Sequence, residues 1–598
     1  MWRWKSIAVA AAFLCADLMA QEYDSMEAIE NLAGGSASEE MDEEEVERLE
    51  RYIRHPLRIN MGGTTKIRDS GLLTHYQIAS LTDYRSRHGD ILSLTELAAV
   101  DGFGQDLVRK LAPFISLEST ADPGFRSFRQ KRVSQELDLK GGLRHSEGTD
   151  ASYALRYRIE VGECFQAGFA VSGSSGSLRP DALTGNAFWN FRRCAARLLI
   201  GDFNARFGQG LTLWNGMSLS GLNKPSSYLK RAASLSASAS FTGNYAFRGI
   251  AAESMLGRFH LTALAAVTDA DASMRLLPGA NLSWLWKNGQ IGLTHYLETQ
   301  QLQTGGGVDD MKTSCDVALT VKGVDFFAET AYDWVSEAAA SLMGTVFPIG
   351  EDVSMAAMLR YYPDSFNPSH SSSIRALTKC SNEYGTSVSS EFTAGRWVRK
   401  NGMEGFGSNV RRIEGTVCAD AAYFPVSKSD DGSKSLQLRS LIELKLMLSE
   451  KTAIKLRVNE RFRTWGKPLR TDARLEMFLY SLHWDATIRV NALKCDEISF
   501  LIYGEGCLKA KSLKAYLRAG VFCADSWDDR IYAYERDIPG TFNVPAFYGR
   551  GLWASFTGNW RFAPWGRVYA RASLTEYFQT EKKKPGKAEL KLMLKIDI

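Results

Sequence analysis

The residues with the clearest capacity for chemistry form a short glycine hairpin, Gly102-Phe103-Gly104, followed by Gln105 and Arg109. Two glycines around one apolar residue, between two short helical patterns, permit a tight turn and a close backbone approach. The helix after such a turn presents backbone N–H groups that bind phosphate without reading base sequence. The residues predicted to bind nucleic-acid phosphate are therefore Gly102, Gly104, Gln105 and Arg109.

A second copy of this hairpin lies upstream, in Ser70-Gly71-Leu72-Leu73-Thr74. Leu73 stands where the second glycine would be, so Gly71 and Thr74 form a degenerate version of the same predicted site. Thr74-x-x-Gln77 and Ser93-x-x-Glu96 have the capping-box pattern, in which a hydroxyl accepts a hydrogen bond from the backbone N–H three residues on. These patterns predict a helix after each cap.

The stretch 57–117 resembles the tandem helix-hairpin-helix domain of ComEA-like DNA-binding proteins. The matching residues are Ile59-Asn60, Asp83-Tyr84-Arg85, Val100-x-Gly102-Phe103-Gly104 and Leu111-x-Pro113-Phe114-Ile115. The resemblance implies binding to DNA without sequence specificity. Between Met61 and Ile115, however, Lys and Arg are as many as Asp and Glu, whereas a nucleic-acid interface usually has a basic excess. The charge balance therefore leaves open a domain that docks a protein or plugs a pore.

Catalytic and metal-binding patterns are missing from the sequence. The 8 histidines are isolated, there is no HExxH, GxSxG or Walker-type loop, and the 9 cysteines have no metal-ligand spacing. The 72 basic and 68 acidic residues give a net charge of +4, too near balance to indicate a polyanionic partner for the whole chain. We expect no enzyme activity, catalytic residues, metal or cofactor.

The N-terminus has the pattern of an exported protein. Residues 1–20 read as a signal peptide, with Arg3 and Lys5 before an apolar run and Leu18-Met19-Ala20 at the cleavage site. Residues 21–56 are acidic and predict a mobile tether that leads into a short helix around 46–53. Residues 118–128 predict a linker between the hairpin domain and the rest of the chain.

From residue 129 to 598 the apolar period changes from helical to alternating. Leu590, Leu592 and Leu594, for example, alternate with charged residues near the end of the chain. Alternation over this length suits a closed barrel in an outer membrane, with lipid outside, a polar lumen inside and no free sheet edge. The predicted fold is mainly β: a large antiparallel outer-membrane barrel of roughly 22–26 strands, preceded by a small all-α tandem helix-hairpin-helix domain.

A barrel of this width predicts a lumen that other segments fill or line. Two segments rich in glycine and aromatic residues, 201–210 and 534–551, resemble parts of Bacteroidetes-type outer-membrane proteins that carry this hairpin domain at their N-terminus. The basic residues predicted to line the lumen are Arg439, Lys455, Arg457, Arg461, Arg463, Arg489, Lys514 and Arg518. Two hypotheses follow for them: attraction of anionic cargo, or ion pairs with acids on neighbouring strands.

The sequence thus predicts an outer-membrane barrel with its N-terminal domain in the periplasm and its outer face in contact with lipid. One hypothesis for function is DNA binding by the hairpin domain, linked to transport or DNA uptake. The alternative is a protein-docking or plug domain of a transport or assembly factor that binds no DNA but contacts a periplasmic protein.

Overall fold

The computed structural model describes residues 28–29, 31–32, 43–61, 63–119, 133–162, 164–176, 179–191, 196–216, 222–241, 246–270, 273–300, 307–350, 352–395, 410–429, 431–578 and 585–598. The predicted signal peptide, most of the tether and most of the linker lie outside these residues. The helices are α1 (Glu43–Arg54), α2 (Thr64–Asp69), α3 (His75–His88), α4 (Leu94–Ala99) and α5 (Gly104–Leu111). None of the described helices combines the length and the apolar character needed to cross a membrane.

Most of the chain forms strands. Outside the main sheet lie two short pairs, β1 (Leu57–Arg58) with β2 (Ile115–Ser116), and β25 (Ile531–Tyr532) with β26 (Ala546–Phe547). The other strands are β3 (Val133–His145), β4 (Thr149–Val161), β5 (Phe165–Ser174), β6 (Ala182–Phe191), β7 (Ala196–Arg206), β8 (Ser234–Ala237), β9 (Phe247–Leu256), β10 (Phe259–Ala270), β11 (Ser273–Trp286), β12 (Gly289–Gln300), β13 (Val308–Val321), β14 (Val324–Asp333), β15 (Ala338–Ile349), β16 (Val353–Tyr362), β17 (Glu383–Ala394), β18 (Arg412–Phe424), β19 (Ser435–Met447), β20 (Thr452–Arg463), β21 (Leu469–Tyr480), β22 (Trp484–Lys494), β23 (Ile498–Lys509), β24 (Leu513–Ala524), β27 (Gly549–Ala563), β28 (Gly566–Tyr577) and β29 (Lys587–Asp597).

These strands close into an antiparallel barrel of 24 strands, with the short strand β8 paired to β7 at one rim. Each strand pairs with its neighbour in sequence, and the first strand, β3, pairs with the last, β29. Closure leaves no sheet edge unpaired, which is what a spanning sheet requires because hydrocarbon offers no hydrogen bonds. The predicted fold class and strand number are confirmed.

The alternating sequence sorts side chains between the two faces of the wall. On β20, Leu456 is 44% exposed on the outer face, whereas the adjacent Arg457 is 7% exposed on the inner face. On β29, Leu592 is 50% exposed and Met593 only 1%. An outer surface of exposed Leu, Ile, Val and Phe is unfavourable in water but suits lipid. The inner face carries most of the buried charge.

The two rims of the barrel differ. We call the rim at which β3 begins and β29 ends the terminal end, and the opposite rim the loop end. Three long connections leave the loop end: the first from 207 to 246, the second from 363 to 382 and the third from 525 to 548. At the terminal end the strands are joined mostly by short turns, such as that between β11 and β12.

The N-terminal residues between 28 and 119 form a helical module with its own apolar core. Buried Leu and Ile side chains from all five helices and the β1–β2 pair make up this core. The predicted caps are present: Thr74 and Gln77 form a capping box, and Ser93 accepts a hydrogen bond from the Glu96 N–H. Ala28, Ile29 and Leu32 are also buried in this core, so the predicted mobile tether is wrong at these positions. Their apolar side chains follow a helical period that the surrounding acidic residues obscured.

Candidate functional site

The helical module lies inside the barrel at its terminal end. Its charged side chains reach wall residues that point into the lumen, several of which are almost fully buried. The ion pairs are Glu47–Arg156, Glu47–Arg158 (3.7 Å), Arg51–Glu160, Arg68–Glu253 (3.4 Å), Asp83–Lys287 (3.6 Å) and Lys110–Glu391 (2.7 Å). These contacts distribute over β4, β9, the β11–β12 turn and β17. The module is therefore held across the lumen rather than on one side of it.

Glu47 on α1 pairs with two arginines of the barrel wall. Its carboxylate, 12% exposed, faces Arg156 and Arg158 on β4. Burial alone would raise the pKa of Glu47, but the positive charges of Arg156, Arg158 and Lys140 outweigh burial and lower this pKa from 4.5 to about 2. Glu47 therefore stays ionised at every physiological pH, and it joins the module to the wall by charge.

Lys110 provides a second junction on the opposite side of the module. Its ammonium lies 2.7 Å from Glu391 of β17 and 2.9 Å from Asp106 of its own helix. Burial tends to lower the pKa of Lys110, but the two carboxylates more than offset this and raise it. Lys224 of the first connection lies 3.8 Å from the same Glu391, so this carboxylate joins the module, the wall and a loop.

The first hairpin, predicted as a weak phosphate site, is closed by the module itself. Gly71 has a φ of 62°, and a Cβ at this position would lie 2.3 Å from the guanidinium of Arg48 on α1. The N-terminus of α3 is already satisfied, because the Thr74 hydroxyl accepts from the Gln77 N–H. A phosphate at Gly71 and Thr74 would therefore require the Arg48 side chain to move, and phosphate binding by this pair stays a prediction. Leu72 and Leu73 are buried, which explains why the second glycine is not needed.

The second hairpin, by contrast, lies open to solvent. Gly102, Gly104 and Gln105 are exposed, and nothing lies within 4 Å of a Cβ placed on Gly104. No side chain caps the start of α5. Arg109 is partly exposed and lies 3.5 Å from Asp106. The four residues predicted at this hairpin are thus brought together at the start of α5, where a Cβ on Gly102 would lie 2.7 Å from the Tyr76 ring. The negative charge of Asp106 in the same turn disfavours an anion there.

The loop end of the lumen is filled by the first connection. The carboxylate of Glu329 on β14 accepts hydrogen bonds from the backbone N–H groups of Gln209 (2.6 Å) and Leu211 (3.1 Å). A Cβ on Gly208, whose φ is 58°, would lie 2.8 Å from this carboxylate, so glycine is required for the close approach. The glycine-rich segment singled out in the sequence therefore binds the inner wall, as its predicted role in filling the lumen requires.

The third connection fills another part of the lumen and reaches the module. Tyr534 and Phe542 pack against the module's apolar core. Between them, Asp537 pairs with Lys591 of β29 at 2.7 Å, and the Gly540 carbonyl accepts from Lys140 at 2.8 Å. The third connection is thus fixed to the wall and to the module at once.

All of the predicted basic lumen residues lie on the inner face, and the structure divides them into two groups. Residues toward the terminal end or beside the third connection pair with acids on neighbouring strands: Lys455–Glu443 (3.1 Å), Arg489–Glu476 (3.9 Å) and Arg518–Glu505 (2.6 Å). Lys514 lies over the ring of Tyr516, and Arg457 is buried opposite Glu443. Arg439, Arg461 and Arg463 lie together near the loop end. Ion pairs with acids on neighbouring strands are thus present at Lys455, Arg489 and Arg518.

Sequence reasoning missed the residues that join the module to the wall. Glu253 is a single acid on an inner face of β9 otherwise made of small and apolar residues, and Glu391 shares the inner face of β17 with Glu383, which pairs with Arg360. A lone charge on a lumen face requires a partner from outside the strand. That signal was present, but alternation alone does not reveal which distant segment supplies the partner. Among the described residues, no group of three or more His, Cys, Asp or Glu could hold a metal ion.

Comparisons with known proteins find similarity among solved structures only. No family model matches the chain, and no curated protein matches it. Among solved structures, the chain is similar to the siderophore receptor PirA from Pseudomonas aeruginosa, with 7% identity and a TM-score of 0.38 over 79% of this chain and 81% of that one. It is also similar to OpdQ from Pseudomonas aeruginosa (8% identity, TM-score 0.27, 78% and 97% coverage) and to OccAB3 from Acinetobacter baumannii (9% identity, TM-score 0.27, 78% and 99% coverage).

The class of the protein follows from its own geometry. A closed 24-strand barrel with an apolar outer face is an outer-membrane type of fold. The helical module and the three long connections fill its lumen.

Proposed function

We propose that this protein is a transport-type outer-membrane barrel whose N-terminal module is a plug. The observation that carries the proposal is the set of ion pairs between the module and lumen-facing residues of β4, β9 and β17. A module that served only to bind a soluble partner would not need its charges matched to the inside of its own barrel. Because the charges of the module pair with particular residues of the wall, they also favour one position of the plug in the lumen.

The orientation in this proposal follows from the rims. Bacterial outer-membrane barrels have short turns on the periplasmic side and longer loops outside. The terminal end carries the short turns and the module, so we place it in the periplasm, and the three long connections face the exterior. A plug held from the periplasmic side by charged contacts can be displaced without unfolding the barrel, which makes it a gate for solute passage.

Conductance across a planar bilayer tests the plug. The full-length protein is expected to show low conductance, and a variant that lacks residues 28–119 is expected to show large, stable channels. The deleted variant must first migrate as a heat-modifiable, strand-rich barrel, since misfolded protein also conducts poorly. A folded deletion variant that conducts no more than the full-length protein would mean that the connections seal the lumen, and the plug proposal would be wrong.

DNA binding is the second candidate function, and one observation favours it: the open hairpin at Gly102-Phe103-Gly104. The resemblance to a helix-hairpin-helix domain supports a phosphate contact through the backbone N–H groups that start α5. With the first hairpin closed by Arg48, only one hairpin is available, so few phosphates can be neutralised. We therefore expect weak binding, with log K falling against log salt with a slope shallower than about −3.

Fluorescence anisotropy with a short duplex tests this candidate on the full-length protein in detergent. Arg109→Gln is expected to weaken binding, because Arg109 is the exposed cation beside the open hairpin. Arg87→Gln, which changes an exposed arginine on α3 paired with Asp83, is the control and should bind as the wild type does. Absence of binding by the folded wild type at low salt eliminates DNA binding and leaves the plug proposal unaffected.

A further inference from the structure

A carboxylate lies on the apolar outer face of the barrel, away from the strand ends. Glu460 of β20 alternates in step with Leu456 and Phe462, which are 44% and 40% exposed on the outer face, and it is itself exposed. Phe462 lies beyond it toward the loop end, so the apolar band extends past Glu460. The other outward Lys, Arg, Asp and Glu residues of the described strands lie within two residues of a strand end, as Lys494 and Glu576 do. A charged side chain in a lipid-facing position is unfavourable and marks a place where a partner meets it.

Glu460 is the centre of a polar strip on three neighbouring strands. Ser440 of β19 lies directly opposite it on one side, and Thr471 of β21 lies directly opposite it on the other. None of these three side chains forms a hydrogen bond or an ion pair with another residue in the described part of the chain. Lipid tails offer no hydrogen bonds, so this strip needs a polar partner from outside the chain.

The wall is indented beside the strip. Ala419 and Ala421 of β18 lie directly opposite Ser440 and Leu438 of β19. Together with Phe462 these residues line an outer groove of about 450 Å³. Small side chains on a membrane-facing surface allow another protein to approach closely. The groove therefore suits a protein surface as well as the strip does.

Lys494 of β22 supplies the charge complementary to Glu460. It lies directly opposite Thr471, on the side away from Glu460, and it too is exposed without an ion pair among the described residues. Two strand spacings, about 10 Å, separate the backbones of Glu460 and Lys494. Strand tilt brings Lys494 nearer the loop end, and its long side chain can extend back along the surface.

We propose that the outer face from β18 to β22 is the contact between two copies of this chain in the membrane, with Glu460 of each copy paired to Lys494 of the other. An isologous contact requires a patch that is complementary to itself. A twofold axis along the membrane normal at Thr471 meets this requirement, because it places each carboxylate in front of the other copy's ammonium. An anionic lipid headgroup would suit Lys494 but would be repelled by Glu460. The helical module takes no part, so the contact and the plug stand or fall separately.

Crosslinking of the full-length protein in outer membranes tests the contact. Because Thr471 lies at the axis, Thr471→Cys is expected to form a covalent dimer with a short bismaleimide, and mass spectrometry of the linked peptides should show a 471–471 link. Leu592→Cys, on the outward face of β29, is the control for chance collisions and should give no 592–592 link. A folded Thr471→Cys barrel without the 471–471 link, or equal linking through Leu592→Cys, would overturn the proposal.

Charge reversal in the Thr471→Cys protein tests the ion pair itself. Glu460→Lys and Lys494→Glu are each expected to lower the yield of linked dimer about tenfold, because like charges then face each other, and the two changes together should restore it. Glu576→Lys, the same reversal on the outward face of β28, is the matched control and should leave the yield unchanged. Glu460→Gln removes the charge without reversing it and should also lower the yield, which keeps the test decisive if a reversed variant does not give a heat-modifiable barrel. An unchanged yield in Glu460→Gln, or no recovery in a folded double variant, would refute the pairing.

Discussion

Replacing Glu47 by Gln tests whether charge holds the module in the lumen. The change keeps the shape of the side chain and removes its negative charge from between Arg156 and Arg158. Arg156 retains Asp138, whose carboxylate lies 2.6 Å from its guanidinium, so it does not become wholly unpaired. The module should then dock more weakly, while the barrel should remain closed.

The magnitude follows from the pKa of Glu47. A pKa of about 2 in place of 4.5 means that the ionised form is bound more tightly than the neutral form. One pKa unit corresponds to about 1.4 kcal/mol, so the difference is about 3 kcal/mol. Gln resembles the neutral form, and docking should weaken by up to about three hundredfold for this pair alone.

The assay is limited trypsin digestion of the folded protein combined with bilayer conductance. Glu47→Gln is expected to speed cleavage within residues 43–119 and to increase the frequency of channel opening. Glu118→Gln is the control, since Glu118 pairs with Arg58 at the module's half-exposed surface. If Glu47→Gln and Glu118→Gln behave alike in folded barrels, the charge argument is refuted. Combining Glu47→Gln with Arg158→Gln should restore part of the docking, because Arg158 no longer needs a partner.

Three further expectations follow. A fall in pH from 7 to 3 should weaken docking of the module in the wild type. The stabilisation from Glu47, whose pKa is lowered, is complete above pH 4.5 and is lost toward pH 2. Conductance at each pH measures the change in docking, and Glu47→Gln should respond less than the wild type. Gly71→Ala should destabilise the module more than Gly104→Ala in thermal unfolding, since both glycines have positive φ but only at Gly71 would the new Cβ meet Arg48. Leu592→Arg should lower the free energy of folding into lipid by roughly 2–4 kcal/mol if residue 592 lies near the bilayer midplane, whereas Met593→Leu should lower it by about 1 kcal/mol. Equal losses would mean that the assignment of outer and inner faces on β29 is wrong.

Local patterns in the sequence predicted the local structure well. Alternation set which side chain of each strand faces outward, as at Leu456 and Arg457, because the two faces meet different surroundings. The capping box at Thr74 and Gln77 predicted the start of α3 for a similarly local reason. These features depend on neighbours only a few residues apart.

Contacts between distant segments were not predictable in the same way. Nothing in the sequence around Glu47 indicates that its partners lie on β4, and nothing around Gly71 indicates that Arg48 covers it. Charge counting between Met61 and Ile115 gave no net charge, but it did not show that the individual charges of the module match the lumen. Arg439 and Arg461 were both predicted to line the lumen, yet their position directly opposite each other depends on the register of β19 and β20.

The pairing of β3 with β29 has a consequence for how the protein is made. These strands are the first and last of the barrel, so the wall cannot close before β29 has been synthesised and has paired with β3. Until this pairing forms, both strands are free edges, which readily pair with other chains. During that time the barrel that encloses the helical module has not yet formed. Loss of β29 would therefore leave an open sheet and an unenclosed module rather than a slightly narrower barrel.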